Sequence, residues 1–113
     1  MTMAEIMEAL RAGGFTIWLT EEKSTGYLVG GACPATVRES VHEVTGRDIA
    51  NIMIRALGTA DTIGGWIDED DEGRTHLDGS DWFPDLDSAT ALARERGERA
   101  IWDIAKGISV YVR

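Results

Sequence analysis

"TIGGWIDEDDEGRTHLDGS", residues 62–80, sets two short strand-like stretches around five consecutive acids and a glycine. TIGGWID reads as one strand and RTHLD as its partner. EDDEG between them is a turn carrying the glycine that hairpin loops favour. This hairpin decides the fold class, because the chain on either side of it repeats the same grammar of helix and paired short strands.

Upstream, residues 46–57 predict a helix. Asp48 stands three after Thr45, and Ile49, Ile52, Met53, Ala56 and Leu57 form one apolar stripe that ends at Gly58. Downstream, residues 86–96 predict another, capped by Asp85 or Asp87, with Leu86, Ala89, Leu92 and Ala93 inward and Gly97 as its stop. RAIWDI and ISVYV then form a closing hairpin across AKG. At the other end, residues 2–13 predict a first helix, with Thr2 and Glu5 at capping-box spacing and Met3, Ile6, Met7 and Leu10 on one face. FTIWLT, residues 15–20, and GYLVGG predict a further hairpin turned at EEKST. Residues 35–44 fit two readings: a helical face of Val37, Val41 and Val44, or a third strand near 36–40. Strands joined by short turns pair antiparallel. The expected fold is therefore α+β, with antiparallel sheet built from hairpins and about three helices packed on it, in one domain spanning residues 1–113.

The charge is segregated. The chain carries a formal net charge of -9. Residues 66–87 hold nine acids against Arg74 alone, which leaves eleven acids and ten bases for the rest. Direct nucleic-acid binding needs a basic footprint, and so does an anionic membrane; neither partner is expected. One cysteine, Cys33, excludes a disulfide framework or a cysteine zinc site within one chain. The start, MTMAEIMEAL, has no basic region followed by an apolar stretch, and no apolar run is long enough to cross a bilayer. A cytoplasmic setting is expected.

GGWID, HLDGS and then DLDSATALARERGERAIWD with a final short strand resemble small domains of unknown function encoded by phages and mobile elements. The resemblance covers roughly residues 62–112, with a looser echo in GYLVGG. It implies a shared fold and a mobile-element setting, and it carries over no activity and no catalytic residue. The long acidic turn at 68–72 departs from the simpler turn of that pattern.

Specific chemistries find little support. A calcium loop begun at Asp68 matches at Asp70, Glu72 and Gly73, but its twelfth position is Gly79 instead of a bidentate glutamate. His76 and Asp78 would open a metal triad only if His42 joined them from across the fold. His76, Asp78 and Ser80 lack a nucleophile elbow around the serine, and Cys33 reads as a small packing residue. The doubled glycines at 13–14, 30–31 and 64–65 match no phosphate-loop motif and read as caps and strand entries. Trp66 and Trp102 are expected in the core. Trp82 and Phe83, in the polar segment GSDWFPD, are expected to fold inward and anchor a loop, or else to form an aromatic contact ringed by acids.

The leading expectation is a non-enzymatic interaction module, in mobile-element terms a modulator or inhibitor of a host protein. It would meet a basic surface of another protein through Asp68, Glu69, Asp70, Asp71, Glu72, Asp81, Trp82 and Phe83. No catalytic residue, metal or cofactor is assigned. The alternatives are a small metal-dependent enzyme or metal-binding domain using the acids near His76, and an accessory domain, alone or as a homodimer, with no specific ligand.

Overall fold

The computed structural model describes residues 1–112. Helix α1 (Met3–Arg11) is followed by β1 (Gly14–Trp18), β2 (Tyr27–Gly30) and β3 (Thr36–Arg38). Helix α2 (Gly46–Ala56) leads into the long pair β4 (Thr62–Asp68) and β5 (Arg74–Phe83). Helix α3 (Leu86–Arg96) and the strands β6 (Ala100–Asp103) and β7 (Ile108–Tyr111) complete the α+β architecture.

The helices begin where the sequence provides caps. Thr2 and Glu5 form a reciprocal capping box on α1, and Thr45 and Asp48 form another on α2. Asp85 accepts the backbone N–H of Ser88 at the head of α3, and Gly97 ends that helix in the left-handed conformation. Asp48 is buried and does double duty. Its carboxylate takes two hydrogen bonds from the Arg38 guanidinium, at 2.7 and 3.2 Å, which ties β3 to α2. That guanidinium, together with the cap bonds, holds the Asp48 carboxyl below its ordinary range. Residues 35–44 thus resolve as a strand over 36–38 and a single 3-10 turn over Val41–Glu43.

The sheet is antiparallel throughout, in the order β1-β4-β5-β2-β6-β7. The ten-residue β5 organises it. One edge of β5 pairs with β4 from Arg74 to Ser80; the other pairs first with β3 and then with β2. The expected hairpins β4–β5 and β6–β7 form. The hairpin expected between β1 and β2 does not, since β1 pairs with β4, and β2 lies between β5 and β6. The connection through EEKST is a wrap instead of a turn. Leu19 and Thr20 donate backbone N–H bonds to the Asp61 carbonyl, and Thr25 accepts the indole N–H of Trp82 at 2.8 Å. The chain is carried around the end of the central pair before it re-enters the sheet.

All three helices pack on one face. Leu10, Ile49, Ile52, Ile63 and Leu77 are completely buried between α1, α2 and the β1–β4–β5 part of the sheet. Each contributes about 1.5–3 kcal/mol of burial. Val29, Ala89, Ala93 and Ile101 form a second cluster under α3, which Phe83 joins. Leu57 and Leu86, at the ends of their predicted stripes, remain exposed. Cys33 is free and partly buried, packed beside the first cluster as a small apolar group.

Side chains alternate across a strand, and directly paired residues point to the same side. The face opposite the helices therefore carries Trp66 beside His76, Gly64 beside Asp78, Thr62 beside Ser80, and Trp82 beside Leu28 and Trp102. No helix covers these residues. That corrects the expectation that Trp66 and Trp102 are core: they are 39% and 41% exposed. The face is concave. Trp18 of β1 and Trp102 of β6 line one groove, yet four strand spacings separate β1 from β6, about 19 Å in a flat sheet.

The acidic turn closes on a single 3-10 turn, Glu69–Asp71, followed by Glu72 with φ 56° and Gly73 with φ 77°. Glu72 is the only non-glycine residue with positive φ among the described residues, a conformation that costs an ordinary L-residue roughly 1 kcal/mol. Asparagine tolerates it better. Glu72→Asn is expected to raise the unfolding free energy by about 0.5–1 kcal/mol. Urea denaturation at neutral pH checks this, and a variant no more stable than wild type would show that the turn is relaxed.

Candidate functional site

The helix-free face and the β4–β5 turn together hold most of the chain's unspent chemistry. The turn is not uniformly projecting. Asp68 is buried, although the sequence places it among the surface acids. Its Oδ2 pairs with Arg99 at 2.9 Å and its Oδ1 accepts the N–H of Asp70. Arg99 lies just before β6, so this ion pair is a second place where the curl of the sheet brings distant strands together. Asp71 pairs with Arg74 at 3.0 Å, and Arg74 also reaches Glu39 at 3.6 Å. Glu69, Asp70 and Glu72 are exposed.

The other expected contact residues lie in β5 itself, not in a loop. Asp81 is paired with Arg96 at 2.6 Å, and that arginine also caps the carbonyl of Gly30. Trp82 is half-buried, its indole N–H bonded to Thr25 and the Lys23 ammonium 5.2 Å from its ring centre. Phe83 packs under α3. The anchoring reading of Trp82 and Phe83 describes this arrangement. Of the eight residues, four belong to the turn and its tip, while Asp68, Asp81, Trp82 and Phe83 are engaged within the fold.

His76 stacks on Trp66, with ring centres 4.7 Å apart and planes inclined by 13°. Its Nε2 is fully enclosed without a hydrogen-bond partner among the described residues, an arrangement that costs on the order of 1–3 kcal/mol. Asp68, Asp71 and His76 place one ligand-type atom each within 4.8 Å of one another. The cluster is not the calcium loop suggested by spacing: Asp70 and Glu72 are absent from it. His42 is exposed on the Val41–Glu43 turn and takes no part. Nor do His76, Asp78 and Ser80 form a relay, because the imidazole makes no hydrogen bond to either.

Asp78 sits deeper on the same face. It is flanked by Gly30 on β2 and Gly64 on β4: a methyl at Gly30 would stand 2.6 Å from Oδ2, and one at Gly64 4.0 Å from Oδ1. Burial, with the Glu98 carboxylate adding to it, pushes the Asp78 carboxyl up to about 7. Alternation in β5 puts Asp78 on this face, but its partner Glu98 comes from the loop after α3, where no periodicity signals it.

At the far end of the face is an open groove of about 430 Å³. Trp18, Leu28 and Trp102 supply its apolar walls, and Glu22 and Lys23 also line it. Trp18 and Glu22 carry no motif; only the curl brings them to Trp102. Among the described residues no helix is long and apolar enough to cross a membrane. No protein-family model, curated protein or solved structure matches the chain.

Proposed function

We propose that the protein is a non-enzymatic interaction module whose helix-free sheet face receives a basic segment of another protein. The observation that carries this reading is the uncovered aromatic face beside an acidic turn. Trp66 and Trp102 are the two tryptophans most open to solvent, at 39% and 41%. Tryptophan is the residue most favoured as a binding anchor. The groove joining Trp18 to Trp102 offers two indole faces, which suit a lysine or arginine side chain through cation–π contact, while Glu22 and Lys23 in its lining offset each other's charge. Glu69, Asp70 and Glu72 project at the opposite end of β4, some six residues or about 20 Å away. They would steer a positively charged partner toward the face. The resemblance to mobile-element domains supports a host protein as that partner, with the module acting as its modulator.

The test is capture from a host lysate at low and high salt with three baits: the native protein, Trp102→Ala, and a tip-neutralised variant (Glu69→Gln, Asp70→Asn, Glu72→Gln). The captured protein is then purified and its affinity measured. Trp102→Ala is expected to weaken binding by roughly 30-fold or more. The neutralised tip is expected to slow association and flatten the salt dependence. A partner held equally by all three baits, insensitive to salt, would put the binding surface elsewhere and end this reading.

A further inference from the structure

We propose that Asp68, Asp71 and His76 form a binding site for a first-row transition-metal dication of the zinc type. This goes beyond the partner-binding reading and does not depend on it. Two carboxylates and an imidazole with ligand atoms within 4.8 Å of one another are the right donors at a usable spacing. The acids alone would carry no such claim. The independent observation is the histidine. Neither imidazole nitrogen has a hydrogen-bond partner among the described residues, and Nε2 is enclosed. The ring is nevertheless held in place by its stack on Trp66. One ring nitrogen is thus free to bind a metal, and the Trp66 stack supplies the orientation that a hydrogen bond from the other nitrogen gives most metal-bound histidines.

The surroundings resemble the outer shell of a metal site. Arg99 holds Asp68 through Oδ2, and Arg74 holds Asp71 through Oδ2. Asp71 therefore keeps Oδ1 to offer, while Asp68 Oδ1, which accepts the Asp70 N–H, has one lone pair left, and each carboxylate is oriented by a charged neighbour. The same arginines offset the two negative charges, so the site suits a cation that gains from nitrogen donation more than one held by charge alone. Imidazole favours zinc and its neighbours, whereas calcium and magnesium prefer all-oxygen shells. Three protein donors leave a coordination position for solvent or for a side chain of a partner.

Isothermal titration of the full chain with Zn²⁺ at pH 7.5 tests the site, with Ca²⁺ titrated in parallel. One Zn²⁺ per chain is expected, bound more tightly than Ca²⁺. His76→Gln and Asp71→Asn are each expected to weaken it roughly tenfold or more. Asp70→Asn and His42→Gln, which change nearby and unrelated donors, are expected to leave it unchanged. Zinc should also shift the His76 imidazole nitrogen resonances and no others. Asp71 is half exposed, so its variant decides the matter if His76→Gln does not fold. No zinc binding, binding equal for Ca²⁺, binding that survives both ligand variants, or loss with His42→Gln would each overturn the proposal.

Discussion

Asp78→Asn is expected to stabilise the protein at pH 8 by about 2–4 kcal/mol and at pH 4.5 by about 1 kcal/mol or less. The carboxyl is raised to about 7 from an ordinary value of 3.8, by burial first and by Glu98 second. Between those values the folded chain holds a proton on Asp78 that the unfolded chain has released. Stability from this group is therefore complete below about pH 4, falls as pH rises toward 7, and is absent above. A gap of about three units corresponds to about 4 kcal/mol at most, and partial access of solvent reduces it. Marginal stabilities are about 5–15 kcal/mol, so one aspartate tilts the whole alkaline limb. Asparagine keeps the shape and removes the charge. Urea unfolding of both proteins from pH 4.5 to 8, with a chelator present, gives the comparison. A difference that does not change with pH would mean that Asp78 is hydrated and ionised throughout. Glu98→Gln should retain most of the dependence, since the larger cause is burial.

The local grammar of this fold is legible in the sequence, and its long-range pairing is not. Caps, apolar stripes and the glycine after five acids locate α1, α2, α3 and the β4–β5 turn because each depends on neighbours within a few residues. Pairing β1 with β4, and β2 with both β5 and β6, depends on which long strands intervene, and no local signal encodes that. The error over Trp66 and Trp102 has the same origin. The β4–β5 hairpin puts Trp66 on a face with His76 and Asp78, but Trp102 joins that face only through the β6–β2–β5 pairing, and whether a helix lies over it is decided by the side on which α3 returns. The burial of Asp68 is likewise invisible: it hinges on Arg99, thirty-one residues away. The metal cluster mixes both kinds of information. Asp68, Asp71 and His76 are close in sequence, yet only the 3-10 turn and the β4–β5 register decide that Asp71, and not Asp70, joins them.

Gly65→Ala is expected to destabilise the protein by about 2–3 kcal/mol, whereas Gly64→Ala should cost under about 1 kcal/mol. The two glycines adjoin in the middle of β4 and read from sequence as a strand entry. Their neighbours face opposite sides of the sheet. A methyl on Gly65 would meet Phe15 Cε1 at 2.6 Å, Leu77 Cδ2 at 2.8 Å and Leu10 Cδ1 at 3.1 Å. Leu10 and Leu77 are completely buried and Phe15 nearly so, so none has free space to move into. Relief would require α1 to lift from the sheet, which also loosens the contact of Ile6 and Ile63 in the same cluster. The alanine gains about 0.5–1 kcal/mol by restricting the unfolded chain, and the overpacking exceeds it. A methyl on Gly64 meets only the Phe15 carbonyl oxygen at 3.2 Å and Asp78 at 4.0 Å, on the concave face that no helix covers. Thermal unfolding of both variants separates the two cases. Gly65→Ala should lower Tm by roughly 10 °C, at about 4–8 °C per kcal/mol for a chain near this size. Equal losses at both positions would show that β4 is limited by its backbone and not by the close approach of α1, and the assignment of all three helices to one face would need to be revised.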